Sequence, residues 1–241
     1  MTTQTLTAII PAAGCGARTG FNSNKILAPL AGSTVLGRVL QVLSAAKVLL
    51  AQQQFDFVEC VISAKLEEFP LIEKKCATKK LPFSIRLVEG GQTRQQSVRN
   101  AVQTVSSDWV MIHDAARPLL SAELIVSVCQ AARRHGGAIA ATIATDTIKY
   151  ATSDARQPFI KSTFERNRVW LAQTPQVFPR QLFHQALQSA EQADFEATDC
   201  ASLVERLGQK VALVPGEADN FKITYAQDLA QAEYLLKERH K

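Results

Sequence analysis

The chain has 241 residues, which is enough for one large α/β domain or two smaller ones and for a substantial hydrophobic core. Apolar residues make up 46% of the chain and charged residues 20%, a balance typical of soluble globular proteins. The formal net charge of +5 suits either an ordinary basic surface or anionic small-molecule ligands. No basic run is interleaved with aromatic residues, so we expect no nucleic-acid partner.

The cysteines and the N-terminus predict a reduced, cytoplasmic protein. The five cysteines are widely spaced and form no Cys-x-x-Cys pair, which argues against a disulfide framework or a zinc site. The N-terminus lacks the basic and apolar regions of a signal peptide. No apolar stretch reaches membrane-spanning length, so we expect no membrane partner.

The first predicted strand, residues 6–10, leads into a loop that carries Gly14, Gly16, Gly20, Arg18 and Lys25. Small residues let backbone N–H groups approach a ligand closely, and cations add charge, a combination that suits a polyphosphate. The loop lacks the Gly-Lys-Ser/Thr ending of a Walker loop, and its third glycine breaks the dinucleotide spacing. An ordinary glycine turn is the alternative, but about 20 irregular residues before the next helical pattern are typical of a functional loop.

Strands and helices then alternate along the chain. Helical spacing of apolar residues predicts helices over 35–50, 95–105 and 121–135, the last capped by Ser121. Apolar or alternating runs predict strands over 57–63, 83–88, 109–113 and 138–144. The order predicts an α/β fold with a doubly wound, mostly parallel (Rossmann-like) sheet that has helices on both faces. Ligands of such sheets bind outside the carboxyl ends of the strands, so we expect the opening loop, Gly90 and Asp114 to converge there.

The pattern changes after residue 144. Two short β-like runs, 147–150 and 159–163, flank a polar spacer and predict a hairpin that projects from the sheet as a β-arm at about residues 145–168. Exposed strand edges tend to be paired or covered, so we predict that the arm joins two copies of the chain in a homodimer. A hairpin that lies on its own subunit is the alternative. Beyond the arm, the pattern predicts a strand over 210–214 and helices over 179–193, 198–207 and 226–238.

The polar residues that can carry chemistry lie in loops. Asp114 follows a predicted strand and is a natural ligand for Mg²⁺, which prefers few carboxylates plus phosphate oxygens; an N-cap is the alternative role. Arg117 can pair with Asp114 or bind a second phosphate. The segment from Gly90 to Ser97 lies at a helix N-terminus, where it can bind polar ligand atoms or simply form a turn and a cap. Lys222 follows a loop and can reach the same face, although alone it reads as a surface lysine.

Seven motifs in chain order carry a resemblance to a known family. They are Pro11-Ala12-Ala13-Gly14-x-Gly16-x-Arg18, Gly90-Gly91-x-x-Arg94-x-x-Ser97-Val98, His113-Asp114-Ala115-Ala116-Arg117-Pro118, Asp146-Thr147-Ile148-Lys149, Ala172-Gln173-Thr174-Pro175-Gln176, Thr198-Asp199 and the run from Asn220 to Thr224. On these motifs the chain resembles the 2-C-methyl-D-erythritol 4-phosphate cytidylyltransferase family over nearly its whole length. The resemblance implies one nucleotidyltransferase domain over residues 1–241.

The resemblance also implies a reaction. The phosphate of 2-C-methyl-D-erythritol 4-phosphate attacks the α-phosphorus of CTP, and the products are 4-diphosphocytidyl-2-C-methyl-D-erythritol and pyrophosphate, in isoprenoid precursor biosynthesis. The attacking phosphate is already an anion at neutral pH, so the reaction needs no general base. Positioning and cations therefore carry most of the catalysis.

By the same resemblance, each motif contributes residues to one site. Arg18, Lys25 and Lys222 are the catalytic cations, and Asp114 holds Mg²⁺ or another divalent cation. The positions that resemble CTP contacts are Ala12, Ala13, Gly14, Gly16, Gly90, Ser97 and Ala115. The positions that resemble the acceptor side are Arg117, Thr147, Arg166, Thr174 and Thr198, with Arg166 a candidate contribution from the partner subunit's arm.

The chain departs from the family pattern at a few positions, and two alternative functions stay open. Asn24 and Ile26 flank Lys25 where the family usually has proline and glutamine, and Cys200 stands where aspartate is common. Ribitol-5-phosphate cytidylyltransferases look similar but tend to have valine for Ala116 and glycine for Ala172, so these two alanines favour the first reading. The other alternative is a non-catalytic nucleotide-binding protein of the same fold.

Overall fold

A computed structural model describes residues 2–14, 24–77, 80–153 and 156–239 of the chain. Gly16, Gly20 and Arg18 of the opening loop lie outside the described residues. Within these ranges the strands are β1 (Gln4–Pro11), β2 (Pro29–Leu30), β3 (Ser33–Thr34), β4 (Phe55–Ala64), β5 (Ser84–Glu89), β6 (Trp109–Ile112), β7 (Ala138–Ile143), β8 (Lys149–Ala151), β9 (Ile160–Thr163), β10 (Trp170–Pro179) and β11 (Ala212–Pro215). The α-helices in the same ranges are α1 (Val35–Gln52), α2 (Phe69–Ala77), α3 (Arg94–Val102), α4 (Ala122–His135), α5 (Arg180–Gln192), α6 (Cys200–Arg206) and α7 (Ala226–Glu238).

The described strands form one large sheet with the order β11-β7-β10-β6-β1-β4-β5. Six of its strands pair in parallel with at least one neighbour, through the ladders β11·β7, β6·β1, β1·β4 and β4·β5. Strand β10 runs antiparallel to both of its neighbours, β6 and β7. The predicted mostly parallel α/β sheet is therefore confirmed, with β10 as the exception.

Helices cover both faces of this sheet, as predicted. Side chains alternate along β1, so that Leu6, Ala8 and Ile10 enter one hydrophobic layer and Ile9 enters the other. Helices α1 and α4 bury their apolar residues in the first layer, while α3, α5 and α6 bury theirs in the second. This arrangement leaves the carboxyl ends of the parallel strands open for a ligand.

Helix α1 corrects the expectation that no segment is long and apolar enough to span a membrane. By length and composition alone it passes that test, and it is the one such helix in the described part of the chain. Its residues Leu36, Leu40 and Leu43 are nevertheless buried in the core, where the helix lies against β4 and α4. The high apolar content of α1 is thus accounted for by its place under the sheet.

Three segments differ from the prediction. The sequence pattern predicts neither strand β10, which follows the arm, nor helix α2. The stretch after the opening loop is more regular than expected, because a short 3₁₀ helix (Lys25–Leu27) and the β2·β3 pair fill residues 25–34. The predicted hairpin is present as the antiparallel pair β8·β9, and all residues of both strands are exposed.

Candidate active site

A cleft of about 310 Å³ lies at the carboxyl ends of β1 and β6. Small residues form much of its wall, and the rest is polar or cationic. The described residues that line it are Pro11, Ala12, Ala13, Gly14, Asn24, Lys25, Ile26, Gly91, Gln92, Thr93, Arg94, Ser97, Asp114, Ala115, Ala116, Lys222 and Thr224. Its position is the one at which open α/β sheets bind their ligands.

Two backbone segments meet closely at the back of the cleft. A Cβ atom on Gly90 would lie 2.3 Å from the Cβ atom of Ala13, so no larger residue fits at position 90 without movement. The Gly90 N–H donates to the carbonyl of Ala64, the last residue of β4, at 2.8 Å. These contacts hold the start of the opening loop against the segment that leads into α3.

Helix α3 directs its N-terminus toward the cleft. The Thr93 side chain accepts from the Gln96 N–H, and the Gln96 side chain bonds back to Thr93 in a capping box. The Ser97 hydroxyl oxygen accepts from the Gly91 N–H at 3.0 Å, which fixes the preceding turn. The partial positive charge of a helix N-terminus favours an anionic ligand at this wall.

Asp114 lies among three cationic side chains. Its Oδ1 atom is 2.9 Å from Arg94 Nε, and its Oδ2 atom is 2.9 Å from Lys222 Nζ and 3.8 Å from Arg117 Nε. We call these four residues the Asp114 cluster. Burial by itself raises the pKa of Asp114, but attraction to Arg94, Lys222 and Arg117 outweighs that effect and holds the pKa well below its usual range. Asp114 is therefore an ionised carboxylate at every physiological pH.

The cluster carries more positive than negative charge. Asp114 is the one acidic residue that lines the described part of the cleft, and Lys25 adds another cation to the lining of the same cleft. A cleft with this balance attracts phosphate-bearing ligands and stabilises charge that develops on them.

Two buried residues lie directly behind Asp114. Thr174 Oγ1 is 3.1 Å from the Asp114 backbone nitrogen and 3.0 Å from His113 Nδ1. His113 Nε2 is in turn 3.1 Å from the Arg117 carbonyl oxygen. Burial lowers the pKa of His113 to about 4, so the imidazole is neutral at pH 7.

Asn24 connects the segment that carries Lys25 to the strand before the loop. Its Nδ2 atom donates to the Ala12 carbonyl at 2.7 Å and to Glu68 Oε2 at 3.1 Å. Its Oδ1 atom accepts from the Ile26 N–H at 3.3 Å, which caps the 3₁₀ helix containing Lys25. The residue that departs from the family pattern is thus buried and hydrogen-bonded on both sides.

The structure brings many of the predicted site residues together. Those that line the cleft are Ala12, Ala13, Gly14, Lys25, Ser97, Asp114, Ala115 and Lys222. Gly90, Arg117 and Thr174 lie just behind it, in contact with the residues described above. Gly16 and Arg18 lie outside the described residues.

Three predicted residues lie away from the cleft within one chain. Thr147 and Arg166 are exposed at the base of the arm, where Arg166 Nη1 donates to the Thr145 carbonyl at 2.9 Å. Thr198 is exposed just before Asp199, which caps α6. Their proposed contacts with the acceptor remain predictions.

Arg94, Asn24 and His113 are site residues that the sequence reasoning did not assign. Arg94 lies inside a quoted motif, one position before a predicted helix, but nothing in the sequence indicates its pairing with a residue 20 positions later. The contact of Arg94 Nη1 with Cys200 Sγ, at 3.3 Å, joins residues 106 positions apart. Such pairings follow from the sheet order and not from local spacing.

Taken together, the fold and the cluster define an α/β protein that binds a phosphate-bearing ligand at the carboxyl edge of its sheet. A family model described as IspD, 2-C-methyl-D-erythritol 4-phosphate cytidylyltransferase, matches residues 6–238. The chain therefore belongs to the 2-C-methyl-D-erythritol 4-phosphate cytidylyltransferase family.

Individual relatives agree with this assignment. A 2-C-methyl-D-erythritol 4-phosphate cytidylyltransferase of Syntrophus aciditrophicus (strain SB) is 39% identical, with 96% of this chain and 95% of that protein covered. A bifunctional enzyme IspD/IspF of Anaeromyxobacter sp. (strain Fw109-5) is 38% identical over 97% of this chain, which spans 58% of that longer protein. The crystal structure of 4-diphosphocytidyl-2C-methyl-D-erythritol synthase from Anaerococcus prevotii DSM 20548 superposes with a TM-score of 0.82, at 28% identity, over 98% of this chain and 99% of that one.

Proposed function

We propose that the protein transfers a cytidylyl group from CTP to 2-C-methyl-D-erythritol 4-phosphate and releases pyrophosphate, a step of isoprenoid precursor biosynthesis. The observation that carries the proposal is the Asp114 cluster, which lies in a cation-rich cleft of a chain that belongs to this family. The cluster supplies the charges that a nucleotidyl transfer needs.

The reaction forms one phosphorus–oxygen bond and breaks another. An oxygen of the acceptor phosphate attacks the α-phosphorus of CTP, and the bond from that phosphorus to the β-phosphate oxygen breaks. The electron pair leaves with pyrophosphate, so negative charge grows on the transferred group and on the leaving group. Lys25 and Lys222 line the cleft where they can stabilise this charge, and Arg18 adds to them by the resemblance.

The attacking phosphate needs no base. His113 is unsuited to that role, because its ring is buried and both of its nitrogens lie within hydrogen-bond distance of Thr174 and Arg117. Catalysis then depends on alignment of the two phosphates and on the surrounding cations.

The residues present fit a divalent cation held in part by the nucleotide. Mg²⁺ prefers one or two carboxylates with phosphate oxygens completing its shell, and Asp114 supplies an ionised carboxylate inside the cleft. Lys222, whose side chain is 41% exposed, is the neighbour of Asp114 Oδ2 with most freedom to move aside. A bound Mg²⁺ would neutralise triphosphate charge and polarise the α-phosphate.

A homodimer built through the arm is part of the proposal. Large apolar side chains are exposed on and beside β8 and β9, including Tyr150, Phe159, Ile160 and Phe164. Exposed apolar groups at a strand edge are typical of an interaction surface. In a dimer, the partner subunit's arm would carry Thr147 and Arg166 toward the acceptor side of the cleft.

A pyrophosphate-release assay tests the function. We expect release with CTP, Mg²⁺ and 2-C-methyl-D-erythritol 4-phosphate, and little with ribitol 5-phosphate, since Ala116 and Ala172 favour the first acceptor. The Lys25→Ala variant serves as the control and should turn over more slowly by orders of magnitude, because it lacks a cation of the transition state. Release with ribitol 5-phosphate but not with 2-C-methyl-D-erythritol 4-phosphate would show that ribitol 5-phosphate is the acceptor. No release with either acceptor would refute the enzyme proposal.

A further inference from the structure

Helix α7 belongs to a third buried apolar cluster, separate from the two layers that cover the sheet. Four segments of the chain contribute to it, and α7 supplies two of its residues. The buried members are Ala28, Leu30, Val35, Leu119, Ile223, Ala232 and Leu236. We call this set the α7 cluster. Because packed side chains share one space, a change at one member is felt by the others.

One segment of the α7 cluster follows Lys25. The Ala28 N–H donates to the Lys25 carbonyl at 3.1 Å, and the Ala28 carbonyl accepts from the Val35 N–H at 3.1 Å. On the other side of Lys25, Asn24 is hydrogen-bonded and Ile26 is buried in the first layer. These last two anchors lie outside the α7 cluster, so the Lys25 segment is held by more than α7.

A second segment of the cluster carries Lys222. Ile223, the next residue, is fully buried in the α7 cluster, and its N–H donates to the Ala116 carbonyl at 2.8 Å. The carboxylate of Asp228, in the first turn of α7, accepts from the Thr224 N–H at 2.6 Å. The backbone beside Lys222 is therefore joined to α7 by packing and by a hydrogen bond.

The far end of α7 is fixed as well. Arg239 Nη1 donates to the Leu119 carbonyl at 3.0 Å, and Arg239 Nη2 is 3.3 Å from Asp219 Oδ2. Leu119 is itself a buried member of the α7 cluster. With Asp228 at one end of the helix and Arg239 at the other, Leu236 is held at one place against the cluster.

We propose that Leu236 is a positioning residue, which holds Lys222 in its place in the cleft by packing α7 against Ile223. Since Lys25 has anchors outside the α7 cluster, loss of the Leu236 side chain should displace Lys222 and leave Lys25 where it is. The proposal rests on the proposed function, because it gives Leu236 a role in that same transfer. It deepens that function by naming a residue outside the cleft that determines where a catalytic cation lies.

Steady-state kinetics of Leu236→Ala tests the proposal, with Leu187→Ala as the matched control. Leu236 is 7% exposed on α7, and Leu187 is 2% exposed on α5 in the second layer, so both truncations leave a cavity under a helix. At a temperature at which circular dichroism shows both variants folded, we expect Leu236→Ala to lower kcat about tenfold. Leu187→Ala should change kcat less than about twofold, and Leu236→Met, which nearly keeps the volume, should retain most of it.

Combination with lysine variants identifies the lysine through which Leu236 acts. The rates are measured in single turnovers with enzyme in excess, so that slow variants can be read. In a Lys222→Ala background, Leu236→Ala should cost less than about a further twofold, because the displaced group is already absent. In a Lys25→Ala background its full effect should persist. A general weakening of the fold would cost the same factor in both backgrounds, and equal factors would overturn the proposal.

Hydrogen exchange followed by NMR reads the same coupling in the free protein, without turnover. We expect Leu236→Ala to speed exchange of the Ile223 N–H at least about tenfold and Leu187→Ala to leave it unchanged. The Ala28 N–H, beside Lys25, should change less than about threefold in either variant. Unchanged exchange at Ile223, or unchanged kcat in Leu236→Ala, would overturn the proposal. A wild type that shows the expected exchange but no turnover would refute the proposed function instead.

Discussion

The hydrogen bonds of Asn24 hold the backbone in place at a position where the family usually has a proline. Its backbone φ of −60° is the value that proline imposes, so the chain takes the same path here as it would with the residue common in the family. The side chain then joins Ala12, Glu68 and Ile26, which fixes the segment on which Lys25 lies. The departure from the family pattern beside Lys25 is thus compensated in the structure.

We expect Asn24→Ala to lower kcat/KM for CTP by roughly tenfold, because a small displacement of a catalytic cation is costly. Asn24→Pro should lose less than Asn24→Ala, since the ring fixes φ although the bonds to Ala12 and Glu68 are gone. Steady-state kinetics of the two variants beside wild type is the measurement. Equal activity of Asn24→Ala and wild type would show that Lys25 is held by other contacts.

We expect His113 to make the free energy of unfolding decrease as the pH falls. Its pKa is lowered to about 4 by burial, against about 6.5 in an unfolded chain, so between these values the unfolded chain binds the extra proton. The contribution is fully present above pH 6.5 and is lost as the pH falls toward 4, by about 3 kcal/mol in all.

Urea unfolding at pH 7.5 and pH 5 checks this for wild type and His113→Gln. We expect the free energy of unfolding to fall more in wild type than in the variant over that interval. His135→Gln, a change at an exposed position at the end of α4, should behave as wild type does. The same pH dependence in wild type and His113→Gln would contradict the assignment.

The sequence motifs allowed us to predict which residues belong to the site. They did not allow us to predict which of these side chains contact one another. Asp114 and Lys222 were both assigned from the sequence, yet their 2.9 Å contact joins parts of the chain 108 positions apart. Arg94 and Thr174 approach Asp114 in the same way, from different elements. A local pattern cannot encode which of several polar residues shares a cluster, because the sheet order decides it.

Among the secondary-structure elements, β10 is a strand that the sequence pattern does not predict, for a physical reason. Its sequence holds Pro175, Gln173 and Thr174, and proline argues against a central strand because it lacks an N–H for the ladder. The pairing with β7 shifts between Ala172 and Gln176, so the proline falls in a bulge where no ladder bond is needed. The same bulge presents Thr174 to His113.

The other elements follow closely from apolar periodicity. Helix α4 begins at the predicted cap, where the Ser121 side chain accepts from the Leu124 N–H, and ends at Gly136 with a φ of 83°. Strands β1, β4, β6 and β7 carry continuous buried runs, as parallel strands covered on both faces do. These elements were predictable because burial alone dictates their composition.

The arm gives a prediction at this scale. Phe159 and Ile160 are 64% and 66% exposed, and we expect them to be covered in a homodimer. Light scattering should give wild type a mass of twice the 26.4 kDa chain, and the double change Phe159→Asp and Ile160→Asp should reduce it toward one chain. Val48→Asp, at a position 65% exposed on α1, is the matched control and should stay dimeric. Wild type of single-chain mass would refute the arm's role.

For the whole molecule, the charge balance of the cleft predicts how a divalent cation would bind. Arg94, Arg117 and Lys222 already compensate Asp114, and no group of three histidine, cysteine or acidic residues suited to a metal occurs in the described part of the chain. We therefore expect a divalent cation to gain little from the protein alone and to enter with the triphosphate.

Electron paramagnetic resonance of Mn²⁺ tests this order. Without nucleotide, we expect no saturable binding of Mn²⁺ at concentrations up to the millimolar range. With a non-reactive CTP analogue, a bound signal should appear, and Asp114→Asn should weaken it. Saturable binding in the absence of nucleotide would show a metal site that is preformed in the protein.

We infer that this cleft joins the α-phosphorus of CTP to an intact sugar-alcohol phosphate. Phosphorus NMR of the reaction of wild type with CTP, Mg²⁺ and 2-C-methyl-D-erythritol 4-phosphate tests it most directly. We expect two mutually coupled signals of a diphosphate diester, formed in equal amount with free pyrophosphate. CMP with unchanged acceptor, or no consumption of CTP, would contradict it.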